Sequence, residues 1–298
     1  MATSPIPFTS LLTELSDPDS HVRRQAITNI MRRRSERGKA FTALLTLLND
    51  PDYQVCKVAI KAPGTLNDPR AFPALVQVLN HHSARLRLLA LETLEKLDPT
   101  KTVPYWIAAL QDPVFIVQRG AILALGLSGD PRAVDPLIVA LSFTDGGQRQ
   151  NVVHSLGKLK DPRALAPLLS VLNDTHTWMR TSVIEALGEL GDARAINPLI
   201  ATLSDVRTSV RLWVIHSLGE LGGERAVDAL ITTLHDADAG VRQGAIRALG
   251  KIGDMCAIDA LFTTLDDTDA YVRLGTIRAL GKLGSERAIN ALLRFCQN

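Results

Sequence analysis

His154, Glu185 and His216 follow one another at intervals of 31 residues in this 298-residue chain. Imidazole and carboxylate groups both bind divalent metals, so the triplet is the first place to look for chemistry. Distance removes that reading. Helices recurring with such a register pack about 8–10 Å apart, which puts the two histidines about 20 Å from each other, whereas metal ligands lie about 2 Å from one ion. The triplet is expected to be an exposed polar column open to a partner or ligand, and no metal or catalytic residue is assigned. The three cysteines, Cys56, Cys256 and Cys296, are odd in number and far apart. They read as free thiols of a reducing compartment, and the cytoplasm is the expected location.

Carboxylates and cations also recur, too often for one active site. Arg87, Arg149, Arg180, Arg211, Arg242 and Arg273 share a single 31-residue register. Cys56 and Gln118 fill its two irregular points, and Arg23 sits two residues off it. Ahead of the arginines runs a column of aspartates: Asp17, Asp50, Asp112, Asp174, Asp205, Asp236 and Asp267. A third column holds Gly126, Gly157, Gly188, Gly219, Gly250 and Gly281. A residue needed for one reaction would not return in every repeat, so these columns read as frame.

The elements behind the columns are clearest in residues 191–221, GDARAINPLIATLSDVRTSVRLWVIHSLGEL. Ile196, Leu199, Ile200 and Leu203 fall at helical spacing, as do Val210, Val214, Ile215 and Leu218. An Asp-centred turn separates the two runs, and a Gly-Asp junction closes the unit, with glycine suited to a left-handed cap and aspartate to an N-cap. Each unit is helix, tight turn, helix, tight turn. Prolines 136, 167 and 198 are expected inside the first helix, kinking it, and Pro63 predicts irregularity near residues 35–65. One pair cannot bury its own apolar face, so neighbours must stack into a single array over 1–298. It has a divergent start at 1–35, regular repeats over 36–283 and a capping half-repeat at 284–298. At 46% hydrophobic residues the chain has ample apolar surface for such a core, while a net charge of +2 offers no dominant attraction to nucleic acid or anionic membrane. No stretch approaches the length of a membrane span.

These residues resemble HEAT repeats, in particular the short phycobilisome-lyase (PBS lyase) HEAT-like repeats, with their pattern G-D-x-R-A-V-x-P-L-I…D-x-x-x-x-V-R-x-x-A-x-x-A-L-G-x-L. The resemblance covers nearly the whole chain. It implies an all-α fold, a right-handed α-solenoid (α-α superhelix) of about nine helix pairs, with the second helix of each pair lining the concave face. It also implies that the Asp and Arg columns form a hydrogen-bonded ladder near the turns. Among the resembling enzymes, deoxyhypusine hydroxylases need His-Glu pairs, and none of the seven histidines here is followed by glutamate. Alkylpurine DNA glycosylases would need a basic inner stripe around an acid, which is lacking.

Positions flanking the arginine on its helix and pointing away from the core spell a patterned surface. It is apolar and aromatic at Phe115, Ile116, Leu123, Trp178, Leu212 and Trp213, then basic and mixed at Tyr271, Arg247, Lys251, Arg278 and Lys282. Tryptophan and tyrosine at such positions are typical interface anchors, because each covers much area with few rotors. Around residue 145 the frame breaks: Phe143 replaces the aspartate, Gln148 the valine, and the turn is Thr144-Asp145-Gly146-Gly147. The leading expectation is a non-catalytic scaffold or adaptor that grips another protein on its concave face. The alternatives are a phycobilin lyase or lyase subunit, with a phycobilin as ligand and a phycobiliprotein or second HEAT-repeat subunit as partner, and an iron–sulfur assembly helper. The wide separation of the cysteines speaks against a cluster held by this chain alone. The lyase reading is weakened by VRRQAITNIM at residues 22–31, which lacks the aromatics of E-type subunits.

Overall fold

The computed structural model describes residues 6–143, 146–284 and 286, with the side chain of Phe143 outside the description. The expected half-repeat beyond Gly284, Cys296 within it, and Thr144-Asp145 of the glycine-rich turn lie outside the described residues. All described elements are helical, eighteen α-helices and eight short 3-10 turns, an all-α fold built as an α-solenoid of paired helices. They group into two compact units, residues 1–133 and 134–298. The first unit holds α1 (Phe8–Glu14), α2 (Ser20–Arg32), α3 (Phe41–Thr46), α4 (Tyr53–Leu66), α5 (Phe72–Val78), α6 (Ala84–Leu97), α7 (Pro99–Ala109) and α8 (Phe115–Leu127). The second holds α9 (Val134–Phe143), α10 (Gly146–Leu159), α11 (Leu165–Val171), α12 (Thr177–Leu190), α13 (Ile196–Thr202), α14 (Thr208–Leu221), α15 (Glu224–Thr233), α16 (Ala239–Ile252), α17 (Ile258–Thr263) and α18 (Ala270–Leu283). Odd-numbered helices are the first of each pair and even-numbered helices the second.

Local chemistry punctuates each pair. In the D-x-D turn the second aspartate caps the coming helix: Asp52 accepts from the Gln54 and Val55 amides, and Asp269 from those of Tyr271 and Val272. Glycine ends several second helices in the left-handed region, as at Gly191 and Gly253 (φ 74° and 78°), while Asn67 and Lys160 adopt it without glycine. The next aspartate then caps a 3-10 turn, as Asp161 and Asp192 do for the amides of Arg163 and Arg194. The first helices differ from expectation. Their α segments begin at Val134, Leu165 and Ile196 after a 3-10 turn, so Pro136, Pro167 and Pro198 occupy the third α position. In that first turn few amides have intrahelical partners, and proline is tolerated rather than breaking a helix midway. Pro63 does lie inside α4, next to a short α3 flanked by 3-10 turns.

Val210, Val214, Ile215 and Leu218 of α14 are buried, as their spacing predicts. Each such side chain contributes about 1.5–3 kcal/mol by leaving water. The glycine column acts between repeats. A Cβ on Gly157 would lie 2.8 Å from Ala186 Cα, one on Gly188 2.8 Å from Ser217 Oγ, and one on Gly250 3.0 Å from Ala279 Cβ. Second helices of successive repeats therefore meet backbone to small side chain, and glycine is what permits that approach. Ser217, buried there, donates to the Ile184 carbonyl of the preceding second helix at 2.9 Å.

The aspartate–arginine ladder is present as the resemblance implies. Arg87 donates through Nε and one terminal nitrogen to both oxygens of Asp112, at 2.8 and 2.6 Å, and Arg242 does the same to Asp267 at 2.8 Å each. Arg23–Asp50, Arg180–Asp205 and Arg211–Asp236 repeat the geometry. The remaining nitrogen clamps carbonyls of the arginine's own turn, such as Asp236 and Ala237 for Arg242. Each aspartate also accepts an amide two residues on, as Asp267 does from Asp269. The Arg242 guanidinium holds the Asp267 carboxyl below its ordinary range, as an opposite charge at hydrogen-bond distance should. Arg149 departs from this, reaching Asp174 through one 3.4 Å contact.

Candidate partner-binding site

The first unit contributes an apolar strip on α8. Phe115, Ile116 and Leu123 are exposed by 47%, 41% and 41%. Ile116 and Leu123 stand seven residues apart, on one face of the helix. Val117, Ile122 and Leu125 bury the opposite face. Exposed leucine, isoleucine and phenylalanine clustered on one helix are unusual for a surface with nothing to cover it.

The second unit offers a groove between α14 and α16. A cavity of about 550 Å³ is lined by Leu212, Trp213, Ile215, His216, Gly244, Ala248, Arg247 and Lys251. Trp213 and Gly244 occupy the same register, two residues after the frame arginine, as does Gly275. A Cβ on Gly244 would come within 3.3 Å of the Leu212 side chain. The groove thus exists because glycine stands where the previous repeat carries tryptophan. The edge of the Trp213 ring meets His216 at 5.8 Å between centroids and 85° between planes. His216 Nε2 lies 3.7 Å from Glu220, which also pairs with Lys251. That lysine holds the Glu220 carboxyl below its ordinary range. A smaller recess of about 220 Å³ continues toward α18, lined by Gln243, Arg247, Gly275, Arg278 and Lys282.

The sequence-predicted residues separate into groups. Leu212, Trp213 and His216 come together in the groove, with Trp213 half-buried rather than exposed. Trp178, 41% exposed, stands at the start of α12 over Gly146, whose Cβ would meet its ring at 3.4 Å. Tyr271 is 71% exposed on α18 and lines neither cavity. His154 and Glu185 are neighbours at 3.7 Å, but His216 turns to Glu220, so the triplet does not converge. Among the described residues no three His, Cys, Asp or Glu side chains are placed to hold a metal ion. Cys56 is buried and donates to the Asp50 carbonyl at 2.9 Å, while Cys256 is exposed. Near the N-terminus Arg23 is a ladder member, and Arg33 donates to the Ile6 carbonyl and faces Glu36.

Sequence reading missed a second ionic column. Arg70, Arg132, Arg163 and Arg194 each fold back onto the aspartate two positions earlier, and Arg163 also reaches Asp135 of the preceding repeat at 2.7 Å. The D-x-R spacing was its signal. It also missed the space created by Gly244 and Gly275, which only the pairing of columns across neighbouring helices reveals.

Repeated helix pairs joined by this ladder define a class, the helical-repeat scaffolds. The chain belongs to the HEAT-repeat family, whose model matches residues 8–95, 41–114, 103–187, 165–240 and 227–298. No curated protein matches it in sequence. Among solved structures, Kap121p superposes with a TM-score of 0.70 at 12% identity, covering 97% of this chain and 38% of that one. Karyopherin Kap121p bound to the SUMO protease Ulp1p gives 0.69 at 13%, covering 97% and 38%. A structure of Kap95p with RanGDP gives 0.60 at 13%, covering 96% and 49%. The chain thus spans less than half the length of these karyopherins, and the likeness concerns fold. Among the described residues no helix is long and apolar enough to cross a membrane.

Proposed function

We propose that the chain is a non-catalytic protein-interaction scaffold, gripping a partner protein with the exposed surface of its second helices. The observation that carries this is the preformed groove of about 550 Å³ at Leu212, Trp213 and Gly244. A concave, mostly apolar site with a few polar groups at its rim is what an anchoring side chain occupies. Trp178, Phe115, Ile116 and Leu123 are further anchors on the same reading. The kinship in fold to karyopherins solved with bound proteins agrees with it. The test is affinity capture from the organism's extract, identified by mass spectrometry, with the native chain beside Trp178→Ala/Trp213→Ala. The double variant is expected to lose the partner while keeping its helical circular dichroism. Undiminished capture would sink the proposal.

A second reading takes a small ligand in the same groove, an open-chain tetrapyrrole, with a phycobiliprotein or a second HEAT-repeat subunit as the protein partner. What favours it is the combination of an aromatic wall at Trp213 with cations at Arg247 and Lys251 that could pair with propionates. Mixing the protein with phycocyanobilin should then perturb the visible spectrum of the pigment. An unchanged spectrum removes this reading and leaves the first standing.

A further inference from the structure

Helices α16 and α18, residues 239–252 and 270–283, contain no aspartate or glutamate and six cations. Two of these belong to the frame, Arg242 on Asp267 and Arg273 on the Asp267 and Thr268 carbonyls. The other four, Arg247, Lys251, Arg278 and Lys282, are exposed and form a two-by-two array. Along each helix the pair is four residues apart, about 6 Å between Cβ atoms, and across helices about 8–10 Å. Lys251 is matched by Glu220. Arg247, Arg278 and Lys282 have no carboxylate partner among the described residues.

We infer that this array, with the adjoining groove, takes an acidic amphipathic helix of a partner protein. Arg247 lines both recesses, so charge and apolar surface are continuous. A large apolar side chain enters between Leu212, Trp213 and Gly244. Carboxylates one turn apart on the incoming helix then face Arg247, Arg278 and Lys282, with bidentate pairing open to the arginines. Nucleic acid fits less well, because the positive surface ends at α14 and α12, where Glu220, Glu185 and Glu189 stand, and a phosphate backbone needs a long basic track. A bilayer would favour protruding apolar side chains over a recess between helices. This inference rests on the scaffold reading and specifies the chemistry of its partner.

The experiment is selection of random peptides of about 16 residues, some four helical turns, displayed on phage against the whole chain. Binding of the winners is then measured by fluorescence anisotropy. The expected winners combine a large apolar residue with Asp or Glu at helical spacing. They should weaken as salt rises, and lose at least about tenfold in affinity to Arg247→Glu/Arg278→Glu, two charge reversals being involved. Neutral or basic winners, no winners, or equal binding to the reversed-charge variant would overturn the inference. So would a single-stranded oligonucleotide or anionic phosphatidylserine vesicles binding the native chain more tightly than the selected peptides. The two proposals fail separately. If partner capture survives Arg247→Glu/Arg278→Glu but is lost in Trp178→Ala/Trp213→Ala, only the charge inference falls.

Discussion

Residues 174–267 and residues 50–82 meet the same structural demand with different side chains. In the later stretch every rung is ionic: Arg180, Arg211 and Arg242 each hold the aspartate 25 residues ahead and a carbonyl of their own turn. In the earlier stretch Cys56 replaces the arginine, and the position 25 residues ahead is His81. The thiol still donates to the Asp50 carbonyl, and His81 Nδ1 accepts the Ser83 amide at 3.0 Å, the role an aspartate fills elsewhere. Gln118 likewise keeps the carbonyl of its own turn, Asp112, at 2.7 Å, and the position 25 ahead is Phe143. Arginine and aspartate have thus been lost together while the carbonyl clamp has been kept each time. At these two positions the clamp that closes the turn is kept and the ionic bridge between repeats is not.

Breaking an ionic rung should have the largest effect. Arg211→Ala leaves the largely buried Asp236 carboxylate without its cation and the Asp205 carbonyl without its guanidinium donor, and should cost about 2–3 kcal/mol. Gln118→Ala, which gives up the neutral hydrogen bond to the Asp112 carbonyl and strands no carboxylate, should cost less, about 1 kcal/mol. Urea unfolding of both variants measures the difference; equal costs would mean that the bridge between repeats adds nothing.

Converting one region into the other sharpens the comparison further. Cys56→Arg places a guanidinium at a buried position with no carboxylate waiting, at a cost of about 2 kcal/mol. Adding His81→Asp should recover at least about 1 kcal/mol of that through the restored pair. Strictly additive costs in the double variant would show that residues 56 and 81 do not communicate.

The smallest effect is one of pH. Burial first, then the charges of His82 and Arg87, push His81 below its ordinary value of 6.5. The unfolded chain then binds the proton more readily than the folded one. Stability should therefore fall as pH drops through the region of 6.5, and rise with pH above the folded value. The ionic rungs behave oppositely in range: Asp267, held below 3.8 by Arg242, gives up its contribution only in stronger acid. Exchange of the Ser83 amide, followed from about pH 7.5 to 5.5, should accelerate toward the acid end beyond its intrinsic pH dependence. The Arg211 rung should show no such change.

The frame could be read from sequence because each of its parts acts once per repeat, so a physical requirement appears as a column. Asp236, Arg242 and Gly250 each do the same work as their counterparts in neighbouring repeats. The groove could be read only in fragments. Trp213 was visible as an aromatic off the core, but the space beside it belongs to Gly244 in another repeat, and a column read alone does not show which neighbour it opens onto. His154, Glu185 and His216 share a register yet choose different partners, since a shared column sets position along the helix and not the direction of a flexible side chain. The prolines were placed too deep in their helices because a 3-10 turn carries no periodicity distinct enough to separate it from the α segment that follows.

The rungs also govern how the chain can change in length. Helices α12, α14 and α16 each carry an arginine that looks back to its own turn and forward to the next, so these repeats present the same plug and the same socket. Excising residues 206–236 as a block would leave Arg180 on Asp205 and bring Arg242 to close the turn that begins with Asp205, with Asp267 still ahead of it. Recombination in steps of one whole unit is therefore silent to the joints, and the Arg23–Asp50 rung shows that two extra residues between its partners can also be absorbed. Lineages of such chains should grow and shrink in whole repeats, carrying their binding surfaces along as cassettes.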